Sequence, residues 1–162
     1  MAGSEKSGPQ HAIASLYEGC VTIVEPLTPD IDPAAHAAVT ALWAAMGSRV
    51  VEINPADHDA LVARTSHLPH ITAACLAILA ASRGDVRPMV GKGFRDTTRV
   101  AAGRPELWRD ICLTNASQIL DSIAGFRQLL NQIESAIREH DAAALDAFFE
   151  KGIQSRQEAL GE

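Results

Sequence analysis

The sequence is poor in cysteine, in aromatic residues and in positive charge, and it contains no long apolar run. Three cysteines, Cys20, Cys75 and Cys112, with no C-x-x-C pair among them exclude a disulfide scaffold and a zinc ribbon. They read as small core residues. No apolar stretch approaches the roughly 20 residues of a membrane-spanning helix, and Met-Ala-Gly-Ser-Glu-Lys at 1–6 lacks the apolar segment of a signal peptide. The expectation is a cytoplasmic chain with no membrane partner. Fourteen basic against twenty acidic side chains give a net charge of −6, which argues against a nucleic-acid partner held through phosphates. Neither an internal repeat nor a low-complexity tract is present. What remains is 162 residues, 47% apolar and 21% charged, the composition of one modest globular unit rather than of a disordered tail.

The charge is unevenly spread. Seven basic residues, Arg83, Arg87, Lys92, Arg95, Arg99, Arg104 and Arg109, stand among three acidic ones, Asp85, Asp96 and Glu106. A cationic island in an anionic protein suits a small anion, whereas a DNA tract wants a broad basic face. The competing reading is a solvated charged loop.

Along the chain, Cys20 to Val24 is a short β-branched run. Asp32-Pro33 then pairs a helix N-cap with a first-turn proline, and the helix extends to Met46 before Gly47. A second β-branched run, Val50 to Ile53, completes a strand, helix and strand, which predicts a right-handed parallel crossover. Two strands alone are marginal, so residues 1–53 read as the tail of a larger α/β domain. Asn54-Pro55 opens a helical pattern that continues to Ser82, with Pro69 predicting a kink near Thr65 to Pro69. A basic loop through Gly91-Lys92-Gly93 follows, then a short helix from Phe94 to Ala102 closed by Gly103. From Pro105 the apolar residues Cys112, Ala116, Ile119, Ile123, Phe126, Leu130, Ile133 and Ile137 alternate spacings of four and three, predicting one long helix with a heptad seam. About 35 residues at 1.5 Å each would span roughly 50 Å, more than a chain of this size covers from within, so part of the seam is expected to meet a second copy. Asp141 caps a last helix whose apolar face is Leu145, Phe148, Phe149 and Ile153.

Two constellations could carry chemistry. His67 and His70 lie three apart beside Pro69 and can address one ligand; they can be ordinary helix histidines, polar ligand contacts or metal ligands. Metal ranks last, because no H-E-x-x-H and no third ligand at a recognised spacing occur. Asp96 and Arg99 are also three apart, where a carboxylate can hold a guanidinium ready for bidentate binding of an anion; the plain alternative is a surface pair. A phosphate loop has weak support, since Gly91-x-Gly93 lacks a third glycine and follows no strand.

The motifs Met-Ala-Gly-Ser-Glu-Lys-Ser-Gly at 1–8, Leu42-Trp43 with Met46-Gly47, Asn54-Pro55 with His58-Asp59, Ser66 to His70, Gly93 to Arg99, and Pro105 to Ile111 with Asn115 together resemble prephenate dehydrogenase and its arogenate dehydrogenase relatives. The resemblance covers nearly the whole chain. It implies a mainly α fold in which a helical substrate-binding and dimerisation domain, residues 54–162, follows a strand-helix-strand remnant of a Rossmann-type α/β domain, residues 1–53. It further implies NAD(P)-dependent oxidative decarboxylation of prephenate, or the arogenate counterpart, in tyrosine biosynthesis, with a homodimer as the assembly. In the family's pattern Arg99 matches the arginine that binds the ring carboxylate, His70 and Trp108 match residues lining the pyruvyl side chain, and His67, Asp96 and Glu5 match polar residues shaping the pocket.

The chain also departs from that pattern. The family's catalytic histidine would precede Met1, and its glycine-rich dinucleotide loop has no counterpart here. The resemblance therefore implies a C-terminal portion that is inactive alone and binds no cofactor by itself, although NAD or NADP serves the full-length enzyme. Lys92 stands in a stretch expected to be richer in glycine. The alternatives are a noncatalytic helical dimerisation or interaction module, and a metal-dependent helical enzyme built on His67 and His70.

Overall fold

The computed structural model describes residues 8–82 and 84–162, which form two compact units, one ending at Leu61 and the other beginning at Val62. In the first, strand β1 (Val21–Val24) and strand β2 (Arg49–Glu52) pair in parallel, with Val21 opposite Arg49 and Val24 opposite Glu52. Helix α1 (Pro33–Ala45) is the crossover. Each boundary has a local cause. Asp32 accepts the Ala34 N–H at 2.9 Å, and Pro33 needs no amide partner in the first turn. The turn out of α1 requires glycine: Gly47 has φ 83°, and a Cβ there would lie 3.0 Å from Glu18 Cγ. Tyr17 then packs edge-on against Trp43 at 5.2 Å, and Ser48 Oγ donates to the Tyr17 carbonyl at 3.2 Å. Both strands begin or end within one residue of the predicted runs.

Helix α2 (Pro55–Val62) starts at Asn54, whose Oδ1 accepts the Asp57 N–H at 2.9 Å. The second unit opens on a π turn, Ala63–His67, before α3 (Leu68–Ala81). The predicted distortion lies here, as a widened turn. Pro69 cannot donate to the carbonyl four residues back, and the Leu68 N–H reaches the Ala63 carbonyl, five residues back, instead.

Three expectations are corrected beyond this point. Helix α4 (Lys92–Thr98) includes Lys92 and Gly93, which were expected in a loop, and continues into a 3-10 turn, Arg99–Ala102. Gly91 occupies the cap position, so the glycine that ends the loop is the first of the pair. The predicted single long helix is two, α5 (Pro105–Thr114) and α6 (Ala116–Arg138). Asn115, at φ −109° and ψ 35°, departs from helical geometry between them, and α6 alone spans about 35 Å. A periodic apolar pattern survives such a break because the Ile119 N–H still bonds the Asn115 carbonyl and keeps the phase. Finally, α7 (Ala142–Leu160), capped by Asp141 through the Ala144 N–H at 3.0 Å, turns Leu145 and Phe148 inward but leaves Phe149 and Ile153 about 60% exposed.

The interior is thin. The buried apolar residues are Ala63, Ala73, Ile119 and Ala136, and among the described residues no large side chain is fully enclosed. Cys20 and Cys112 are half-buried, while Cys75 is exposed on α3, contrary to its expected place in the core. No helix of the described residues is long and apolar enough to cross a membrane. Ile119 is the largest of the buried apolar side chains. Ile119→Ala is expected to cost about 2–4 kcal/mol, Asp141→Ala about 1 kcal/mol through loss of the α7 cap, and the exposed Leu113→Ala under about 0.5 kcal/mol. Urea unfolding of the three variants checks this order.

Candidate functional site

The second unit brings three of the predicted residues together. His70, on the first turns of α3, is buried, and its imidazole lies face to face on the Trp108 indole from α5, with ring centres 3.4 Å apart and planes within 16°. His67, the last residue of the π turn, meets the same indole edge-on at 6.3 Å. Its Nδ1 lies 3.4 Å from Asn115 Nδ2. With the amide as donor, Nδ1 accepts and the proton of a neutral His67 sits on Nε2, directed away from Asn115. The residue that interrupts the long helix thus also holds one of the two histidines. Burial pushes the His70 pKa down from the ordinary histidine value, because the charged imidazolium loses water that nothing replaces.

The cationic island is largely matched to its own carboxylates. Arg87 makes a two-pronged pair with Asp85 at 2.8 Å, Arg109 lies 2.8 Å from Asp110, Arg104 lies 3.9 Å from Glu106, and Lys92 lies 3.4 Å from Asp96. The Arg87 guanidinium holds the Asp85 carboxyl below its usual range. These pairs are exposed and contribute little to stability. Asp96 therefore pairs with Lys92, one turn back, rather than with Arg99 as the spacing allowed. Among the described residues Arg95 and Arg99 are the members of the island that form no ion pair. Arg99 is exposed on the 3-10 turn that packs against α3, the helix carrying His70. Glu5 and Arg83 lie outside the described residues.

Sequence reasoning missed the stack itself. His70 and Trp108 are 38 positions apart, and nothing in their local spacing signals a shared plane. No group of three or more metal-ligating side chains occurs among the described residues.

The arrangement is a small helical unit in which a stacked His70–Trp108 pair lies beside a turn carrying a guanidinium without an ion pair. Known proteins supply the family. The prephenate dehydrogenase dimerization domain matches residues 54–151, and the chain belongs to that family. It is 34% identical to the cyclohexadienyl dehydrogenase of Zymomonas mobilis over 163 residues, covering 96% of this chain and 55% of that protein. Among solved structures it resembles Synechocystis arogenate dehydrogenase, with a TM-score of 0.87, 29% identity and coverage of 98% of this chain and 59% of the other. It also resembles the prephenate dehydrogenase of A. aeolicus in complex with hydroxyphenyl propionate and NAD+, with a TM-score of 0.83, 33% identity and coverage of 97% and 56%. The chain spans about half the length of the relatives it matches.

The depressed His70 pKa has a thermodynamic sign. Between the folded value and the unfolded value near 6.5 the unfolded chain binds the extra proton, so stability is full above pH 6.5 and is lost as pH falls through the folded pKa. Unfolding free energies at pH 8 and pH 5.5 should therefore fall further for the parent than for His70→Asn, which has no proton to take up. An equal pH dependence in both proteins would remove His70 as the source.

Proposed function

We propose that this chain supplies the substrate-binding and dimer-forming part of an NAD(P)-dependent prephenate or arogenate dehydrogenase and is inactive alone. The observation that carries this reading is the unpaired Arg99 guanidinium on a turn packed against the helix of His70, with His70 in turn stacked on Trp108. Prephenate carries one carboxylate on its ring and a second at the end of its pyruvyl side chain, and a site for it needs a fixed cation and a wall for the ring. Arg99 binds the ring carboxylate with two parallel hydrogen bonds. His70 and Trp108 line the pyruvyl side chain. His67 and Asp96 shape the pocket, with Lys92 paired to Asp96.

The residues at the start of α1 do not fit the pyrophosphate of a dinucleotide. The start of α1 carries the Asp32 carboxylate, its Ala34 N–H is already taken, and Pro33 has no N–H, the reverse of what a pyrophosphate needs at a helix N-terminus. No hydride-transfer step is assigned to them.

The homodimer reading rests on exposed apolar surface. A groove of about 480 Å³ between α3 and α6 is lined by Ile71, Cys75, Leu76, Ile123, Phe126 and Leu130, the last three from the heptad seam. Burial of these faces against a second copy would supply the enclosure that the thin interior lacks.

Two experiments test the reading. Calorimetry with prephenate, which carries the ring carboxylate, should show binding that Arg99→Ala weakens tenfold or more, since a charge-assisted hydrogen bond contributes about 1.5–3 kcal/mol. Arg99→Lys, which keeps charge but not the fork, should fall between. Unchanged affinity in Arg99→Ala removes Arg99 from the site, and no binding by the parent favours the noncatalytic interaction module. Sedimentation should show a dimer that Phe126→Asp dissociates, because a carboxylate in the apolar contact costs several kcal/mol. A parent chain that sediments as a stable monomer overturns the dimer assignment.

A further inference from the structure

Gly103 ends the 3-10 turn at φ −65° and ψ 157°, ordinary extended backbone that any residue adopts. Nothing in its conformation calls for glycine. The space beside it does: a Cβ at this position would lie 2.7 Å from His70 Cε1 and 2.9 Å from Trp108 Cδ1, and closer still to Trp108 Nε1. Real Cβ contacts are essentially never that short, so a single methyl group and the stacked pair cannot occupy the site together. Other glycines of this unit differ. At Gly91, Gly93, Gly125 and Gly152 an added Cβ would meet nothing within 4 Å.

We infer that Gly103 is a positioning residue of the binding site, whose missing side chain is the space that lets the His70 imidazole lie flat on the Trp108 indole. The backbone of residue 103 covers the edges of both rings, His70 at Cε1 and Trp108 at its pyrrole side, and so limits sliding of one ring over the other. This sets where the free edge of the imidazole points, and with it the hydrogen bond that a ligand can receive. The positioning claim stands on the ring geometry; its consequence for ligand binding rests on the assignment of His70 and Trp108 as substrate contacts.

The test uses Gly103→Ala in the full chain, with Gly125→Ala as the control for adding a methyl group in open space. The readout is the proton resonances of the His70 ring, which the indole face shields in the parent. In Gly103→Ala this shielding should be lost while helical circular dichroism is retained; in Gly125→Ala it should persist. Shielding that survives in Gly103→Ala overturns the proposal. If Gly103→Ala does not fold, the double variant Gly103→Ala/Trp108→Ala decides: recovery of the fold on removal of the indole supports the steric conflict, and failure to recover overturns it. Hydroxyphenyl propionate titration separates the two layers. A parent that binds and a Gly103→Ala variant that binds at least fivefold more weakly supports a role in ligand orientation, and equal affinity refutes that role. A parent that does not bind refutes the functional reading, while the resonance shift still judges Gly103.

Discussion

Close approach without side-chain bulk is the constraint on which the second unit depends. The enclosed apolar residues are Ala63 on the π turn, Ala73 on α3 and Ile119 on α6, with Ala136 enclosed separately beside α7, and Gly103 after the 3-10 turn adds a position with no side chain. Small residues let backbones approach, and proximity brings a ring on α3 into contact with a ring on α5. A larger residue at these points would press the elements apart, since interiors are close-packed. The same economy leaves little apolar volume inside, so Leu76, Ile78, Leu79, Leu130 and Ile137 stay at the surface.

Pro69 acts on this arrangement through the donor it lacks. The missing amide hydrogen shifts one turn to five-residue spacing, and the widened turn ends at His67, which contacts both Asn115 and Trp108. Asn115 in turn sits where the helical geometry breaks between α5 and α6. Two backbone irregularities, one on each side, therefore hold the same histidine, and irregular backbone of this kind persists only where surrounding contacts stabilise it.

Charge is handled by proximity in sequence. Arg87 with Asp85, Arg104 with Glu106, Arg109 with Asp110 and Lys92 with Asp96 are all pairs within four residues, so four of the island's seven basic residues are matched by local partners. Among the described residues Arg95 and Arg99 form no ion pair, and Arg99 differs in standing on the turn packed against α3. Burial of His70 acts in the same direction, disfavouring its charged form. The first unit follows a different logic. Its two parallel strands and one crossover helix leave Val21, Ile23, Val39 and Leu42 exposed, whereas parallel sheets are ordinarily covered on both faces.

The sequence by itself determined what depends on near neighbours. Asp32 and Asp141 as caps, Gly47 as a turn, Pro69 as a distortion and the paired β-branched runs were all legible, because capping, left-handed backbone and missing donors act within a few residues. The family motifs around His67, His70, Arg99 and Trp108 were equally legible as motifs. The break at Asn115 was not, since a heptad pattern keeps its phase through one non-helical residue, nor was the exposure of Phe149 and Ile153, which periodicity cannot separate from a buried face. That His70 would be buried flat on Trp108 and that Gly103 would make room for both were decided only by tertiary structure. The reason is distance along the chain: these outcomes require residues three dozen positions apart to compete for the same few ångströms, and local propensity carries no information about such competition.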